Sequence, residues 1–283
     1  MNTLQGILPN LIIIGAMKAG TTSLHHYLKL HPQISMSQEK ELDFFIEEKN
    51  WHRGIEWYQS QFSGQAQIYG EASPNYTNYP WWKGIPQRMY SVVPDAKLVY
   101  ILRDPIKRII SHYIHQYDCG KENRTFAQAL EDFQDNTYLN LSRYSLQLEQ
   151  YLNYFPRSNI LIITTEELDN SPDKTLQTIF DFLNIEHYSL SSAISKKLHK
   201  SEFKRRKTDL GVRLSETQLL KAVGRLPPQI RYKAQKIIYF PFSKKIDTPT
   251  VTSELRQRII DYLREDINIL KQYTGLDFKE WCV

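Results

Sequence analysis

Leu11–Leu28 reads LIIIGAMKAGTTSLHHYL, and this stretch decides the fold. Leu11–Gly15 is a run of branched apolar residues ending in glycine, the signature of a buried strand. A short loop then runs to Gly20, and the spacing predicts a helix from about Thr22 to Leu30. Glycines let a backbone turn tightly and bring its amides close to an anion. The helix N-terminus adds unbonded amides and a positive dipole end, so phosphate or sulfate is the natural guest. Lys18 supplies a mobile cation, and Thr21, Thr22 and Ser23 supply hydroxyl donors. The order of residues is not that of the nucleotide-kinase loop, where Gly-Lys-Ser/Thr puts lysine on the β/γ-phosphates and a hydroxyl on magnesium. Here Gly20 is followed by Thr21, and the lysine precedes it.

Outward from this segment, short β-rich runs alternate with amphipathic ones, the pattern of a parallel sheet wrapped by helices. Gln67–Glu71, Lys97–Leu102 and Asn159–Thr164 are predicted strands. Helices are expected from Pro105 through Tyr117, over Phe126–Asp132 and Ser145–Phe155, and over Pro172–Leu183 with Ser171 as its cap. From Ser189 onward the pattern turns helical, basic and less regular, and ends in a helix over Ser253–Tyr273 with Gly275 as its C-cap. The expectation is one α/β domain with a central parallel sheet flanked by helices. Its core covers about residues 8–185, and a mostly helical basic part covers about 186–283.

The chain has 283 residues, 41% of them hydrophobic, which is ordinary for a globular protein. No apolar run approaches the roughly 20 residues that cross a bilayer. The first ten residues lack the basic and apolar regions of a secretory signal. Cys119 and Cys282 form neither a disulfide framework nor a zinc spacing. A cytoplasmic enzyme without an integral membrane segment is the expectation. The formal net charge is +5, and Lys196, Lys197, Lys200, Lys204, Arg205, Arg206 and Lys207 crowd one segment. Only Phe203 interrupts them, so a nucleic-acid partner is not expected. A solvated basic face, an anionic cofactor or an acidic polymer fits this run.

Strand-G-x-x-[KR]-[SA]-G-[TS]-[TS]-x-L resembles the 5′-phosphosulfate loop of the sulfotransferases that use 3′-phosphoadenylyl sulfate. Three further segments agree in order. KLVYILRDPIKRIISHYIHQY is similar to the family's 3′-phosphate motif, GKENRTFAQAL to its G-x-E-x-x-[ST]-F-x-x-A-L stretch, and residues 144–185 to a later Y-x-x-Q-L…P-x-x-T-L region. The resemblance covers most of residues 10–185 and implies a P-loop-kinase-like sulfotransferase fold. It places the donor on Lys18, Ala19, Gly20, Thr21, Thr22 and Ser23, and its 3′-phosphate on Arg103 and Ser111. Arginine suits a phosphate dianion because its guanidinium offers paired, charge-assisted bonds. The plain alternatives are a salt bridge from Arg103 to Asp104 or a nearby acid, and a solvated helix position for Ser111.

Sulfuryl transfer, like phosphoryl transfer, depends on positioning and charge stabilisation. Lys18 is assigned to the departing 5′-phosphate, and no metal is expected. SQEKELDFF, residues 37–45, resembles the K-E-x-x-F-F segment of the heparan-sulfate-type and related bacterial enzymes, whose glutamate is the general base. This implies Glu41 as base, with Asp43 second; the plain alternative for Glu41 is a salt bridge with Lys40. GEASPNYTNYP departs from the pattern, because Ala72 stands where a second lysine is usual. Two basic stretches, Lys204–Lys207 and Lys244–Lys245, compete to close over the donor. Trp51, Trp57, Tyr58, Tyr76, Tyr79, Trp81 and Trp82 follow the base; aromatic faces with basic rims suit a sugar, and core packing explains many of them equally well. The expected reaction is sulfation of a hydroxyl or amine, on a carbohydrate or polysaccharide first and on a lipid or polyketide-type hydroxyl second. A P-loop-type nucleotide or small-molecule kinase and a non-catalytic binder of phosphorylated or sulfated ligands are the other readings.

Overall fold

The computed structural model describes residues 6–189, 205–208, 238 and 240–283. Leu11–Gly15 (β1) is buried along its whole length. Thr21–Leu28 (α1), Ile34–Met36 (β2), Gly54–Gln59 (α2), Ile68–Ala72 (β3), Ile85–Val92 (α3) and Lys97–Leu102 (β4) follow. Next come Pro105–Asp118 (α4), Phe126–Ala129 (α5), Thr137–Asn140 (α6), Tyr144–Leu152 (α7), Ile160–Thr164 (β5), Thr165–Asn170 (α8) and Pro172–Leu183 (α9). The remaining described elements are Arg205–Lys207 (β6), Ser243–Lys245 (β7) and Ser253–Thr274 (α10). Strands β1 to β5 form one sheet in the order β2-β3-β1-β4-β5, and every pairing in it is parallel. The molecule is an α/β domain with helices on both faces of this sheet.

Both faces are apolar because alternate residues of each strand enter opposite layers. Ile12 and Ile14 of β1, with Leu98, Tyr100 and Leu102 of β4, join one core beside α3, α4, α7 and α10. Leu11, Ile13, Val99 and Ile101 join the other core beside α1 and α9. The chain leaves β1 towards one face and β4 towards the other, so the crevice between their C-terminal ends is the switch point where α/β sheets bind ligands. A register shift passes over Ile14 between Ile13 and Gly15, and Gly15 still pairs with Tyr100 of β4 before the loop begins.

The predicted elements are present, with shifted ends where side chains intervene. α5 stops at Ala129 because Asn136 Nδ2 donates to the Ala129 carbonyl at 2.8 Å and to Asp132 O at 2.9 Å. α7 ends at Leu152, short of the expected Phe155, with Pro156 just beyond. Ser171 precedes α9, but its side chain makes no cap bond. Instead Thr175 Oγ1 donates to its carbonyl at 3.0 Å. α10 ends as expected, with Gly275 in the left-handed region at φ 70°. α10 is fastened to α7 by Asp266, which accepts from Ser145 N, Ser145 Oγ and Leu146 N.

The two basic stretches that compete in the sequence are partners: β6 pairs antiparallel with β7, joining Arg205 to Lys245 and Arg206 to Lys244. This ribbon lies beside α4. It adds a strand pair to a region expected to be mostly helical. The basic residues Lys196, Lys197, Lys200 and Lys204 lie outside the described residues, as does the helical reading of 190–204 and 209–237. No described helix is long and apolar enough to cross a membrane.

Candidate active site

The loop after β1 turns its carbonyls into the protein. Arg108 Nη1 donates to Met17 O at 3.5 Å, Arg103 Nη1 to Lys18 O at 3.3 Å, and Thr165 Oγ1 to Ala19 O at 2.5 Å. Thr165 shares its one proton with Leu102 O, 2.8 Å away. A loop whose acceptors are taken from behind does not present them to an anion. Gly20 caps α1 with φ 92°, a left-handed conformation that glycine adopts freely, and has no side chain to cover the first-turn amides. Gly15 answers a different need: a Cβ there would stand 2.1 Å from Thr77 Oγ1. Thr21 is buried, and Lys18, Thr22 and Ser23 are half-buried beside it.

Arg103 leaves the end of β4 directly into this loop. The Asp104 salt bridge is not formed, because both oxygens of that buried carboxylate accept backbone amides, Lys107 N at 2.9 Å and Cys282 N at 2.8 Å. Glu166 is likewise engaged by Asp104 N at 3.1 Å and by Trp281 Nε1 at 3.3 Å. Arg103, Lys107, Thr165, Glu166, Asp169, Asn170 and Glu280 line a cavity of about 220 Å³. Ser111 is buried at 6% exposure on α4, not on a solvated face.

Three residues of this site, Arg108 and Thr165 against the loop and Glu166 against Asp104, are not picked out by the sequence. Arg108 is wholly buried and, among the described residues, donates to neutral acceptors: Ser142 Oγ at 2.6 Å and Tyr138 O at 2.5 Å besides Met17 O. Burial pulls its guanidinium down to about 10, so it stays charged at neutral pH. Its place in RDPIKRIIS, five residues after Arg103 on a helix face, is the signal that could have found it. Thr165 and Glu166 open α8, whose Thr164–Glu167 capping box was legible as T-x-x-E.

Glu41 lies on the other side of β1. Its amide donates to Ala72 O at 3.0 Å, and Ala72 is the register partner of Ile13. Its side chain is exposed and paired with Lys40, the plain alternative that the sequence allowed. Asp43 is buried and occupied: Lys49 Nζ donates at 2.5 Å, and Asn75 Nδ2 at 2.9 and 3.1 Å. His25 on α1 is electrostatically close to Lys40, and burial, together with Lys40, Lys29 and His26, holds its ring at about 4.

A family model described as "Sulfotransferase domain" matches residues 8–239. Human bifunctional heparan sulfate N-deacetylase/N-sulfotransferase 2 is 32% identical over 200 residues, covering 63% of this chain and 22% of that protein. Heparan sulfate glucosamine 3-O-sulfotransferase 5 of Mus musculus is 35% identical over 191 residues, covering 63% of this chain and 54% of that protein. The chain thus spans about a fifth to a half of the length of these curated relatives. The crystal structure of a sulfotransferase from Alicyclobacillus acidocaldarius superposes with a TM-score of 0.67 at 24% identity, over 97% of this chain and 99% of that one. It is a likeness of fold.

Proposed function

The chain belongs to the sulfotransferase domain family, and from that premise we propose that it transfers a sulfuryl group from 3′-phosphoadenylyl sulfate to a carbohydrate hydroxyl or amine. The observation that carries this reading is the meeting of Arg103 with the Lys18 carbonyl, while Asp104 is held away by two amides. A guanidinium at the loop, not neutralised by its neighbour, suits a nucleotide that bears phosphates at both ends.

In this reading the loop over Lys18–Ser23 holds the 5′-phosphosulfate, and Arg103 with Ser111 holds the 3′-phosphate. The ribbon of β6 and β7, beside α4, closes over the donor. The acceptor oxygen or nitrogen attacks sulfur as the bond from sulfur to the bridging oxygen breaks. Glu41 takes the acceptor's proton. Charge gathers on the departing 5′-phosphate, where Lys18 and the amides at the start of α1 stabilise it. The product nucleotide is 3′,5′-adenosine bisphosphate. Supporting the acceptor class are the names of the relatives, which specify heparan sulfate and its glucosamine. Trp81, exposed, and Trp82, under Lys49 at 4.3 Å, lie in the same part of the chain as the segment after β3.

Calorimetric titration with 3′,5′-adenosine bisphosphate, and with ATP in the presence and absence of magnesium, tests the donor assignment. The expected result is metal-independent binding of the bisphosphate, weakened about hundredfold in Arg103→Ala through loss of charge-assisted bonds. Preferential binding of ATP with magnesium would hand the site to the kinase reading. Binding of neither nucleotide would end the donor assignment.

A further inference from the structure

Glu71 stands next to the end of β3, wholly buried, and has no part in the chemistry above. Three hydroxyls surround its carboxyl group. Tyr58 of α2 donates to Oε1 at 2.5 Å, Tyr76 of the turn after β3 donates to Oε1 at 3.1 Å, and Ser73 donates to Oε2 at 2.9 Å. A hydroxyl has one proton to give and lone pairs to receive with. With their protons committed to Glu71, Ser73 and Tyr76 are left as acceptors, and each receives an amide of the segment that carries Glu41. Asp43 N donates to Ser73 Oγ at 3.0 Å, and Phe45 N to the Tyr76 hydroxyl at 3.4 Å. That segment needs holding, because Glu41 and Asp43 sit at φ 67° and 48°, the left-handed region that non-glycine residues avoid.

Resting on Glu41 as the acceptor's base, we propose that Glu71 is a positioning residue for sulfuryl transfer: its carboxylate, acting through Ser73 and Tyr76, fixes the backbone that carries Glu41. A neutral carboxyl group cannot do this fully. Its own proton must be donated, so one hydroxyl turns acceptor towards Glu71 and loosens its hold on the Asp43 or Phe45 amide. Facing Glu71 are Tyr58 from α2, Tyr76 from the turn, Asp43 from the base segment and Tyr151 from α7. Burial pushes all three tyrosines well up, so they remain hydroxyls. Lys49 is bound to Asp43. Burial likewise pushes the Glu71 carboxyl up to about 7, against the pull of its three hydroxyl bonds. The hold on the base segment therefore changes near neutral pH.

The test uses the full chain with Glu71→Gln, Ser73→Ala and Ser73→Thr. Amide hydrogen exchange of residues 41–46, affinity for 3′,5′-adenosine bisphosphate, and turnover of 3′-phosphoadenylyl sulfate with heparan sulfate as acceptor are measured together. Glu71→Gln and Ser73→Ala are expected to speed exchange of the Asp43 and Phe45 amides, Ser73→Ala at Asp43 foremost. Bisphosphate affinity should stay within about threefold, which also certifies the fold, while turnover falls about hundredfold through misplacement of the base. Ser73→Thr, which keeps the hydroxyl, should restore protection. In the wild type, protection and turnover should both drop as pH falls through about 7, and Glu71→Gln should lack that step. Wild-type protection in a folded Glu71→Gln would overturn the inference. Undiminished turnover in Glu41→Gln would instead overturn the base assignment, and exchange would still report whether Glu71 holds the segment.

Discussion

The two loops that flank the C-terminal end of β1 are tied to the sheet through different backbone groups. The phosphate loop is held by its carbonyls: Met17, Lys18 and Ala19 each accept from a side chain of α4, of α8 or of Arg103 just past β4. Towards β3 the base segment is held by its amides: Glu41, Asp43 and Phe45 each donate to the strand or the turn beyond it, while its Leu42 and Phe45 carbonyls accept from Asn50 Nδ2 and Arg88 Nε. A loop that turns its acceptors inward suits an anion, and one that turns its donors inward suits a group that must accept a proton. The contrast teaches that a backbone can be given a polarity by what ties it down, before any side chain meets a substrate.

The sharpest way to break this comparison is to remove the cation from one loop and leave the other untouched. Lys18→Ala should lower turnover by about 10²- to 10³-fold, the range for loss of a group that meets developing charge. Exchange protection of residues 41–46 should not change, and a loss there would show that the two loops are not anchored independently. A second effect, up to about 3 kcal/mol, belongs to the base side alone. Glu71 holds its proton more tightly folded, at about 7, than at the ordinary 4.5 of the unfolded chain. Its contribution to stability is therefore full below about 4.5 and is lost as pH rises through about 7. His25, held at about 4 against 6.5, gives the opposite slope, so the readout is denaturant stability of the wild type minus that of Glu71→Gln across this window. No difference in slope would mean that Glu71 titrates normally. The smallest expected effect sharpens the phosphate side: Gly20→Ala at φ 92° should cost about 1–2 kcal/mol in thermal unfolding, from crowding of Cβ in a left-handed backbone. A neutral result would show that the loop relaxes out of that conformation.

The same contrast explains what could be read without coordinates. The phosphate loop is contiguous, and its glycines, lysine and hydroxyls fall in one run, so strand, turn and helix were all visible in Leu11–Leu28. β4, the start of α4 at Pro105 and the end of α10 at Gly275 were equally local and were placed correctly. The base segment was found only through a resemblance, because what holds it is distant: Ser73 and Tyr76 lie 30 and 31 residues from the amides they receive. Glu71 reads as one more acid in a strand until its three hydroxyl partners are assembled around it. β2, three residues long, is too short to carry a period. The pairing of the two basic stretches was invisible for the same reason of distance. The choice between them dissolves once β6 and β7 are seen as one ribbon.

Arg103 faces the phosphate loop with its neighbouring carboxylate committed to amides, and Arg108 lies behind the loop among neutral acceptors. Under the proposed donor assignment, such a place attracts whichever oxyanion the experimenter supplies. Phosphate or sulfate in a purification buffer would shield the protein from heat and compete with the donor in the same assay, so conditions that preserve the sample best would make its affinity look weakest. Chloride-based, weakly coordinating buffers are the ones in which its nucleotide preference should be measured.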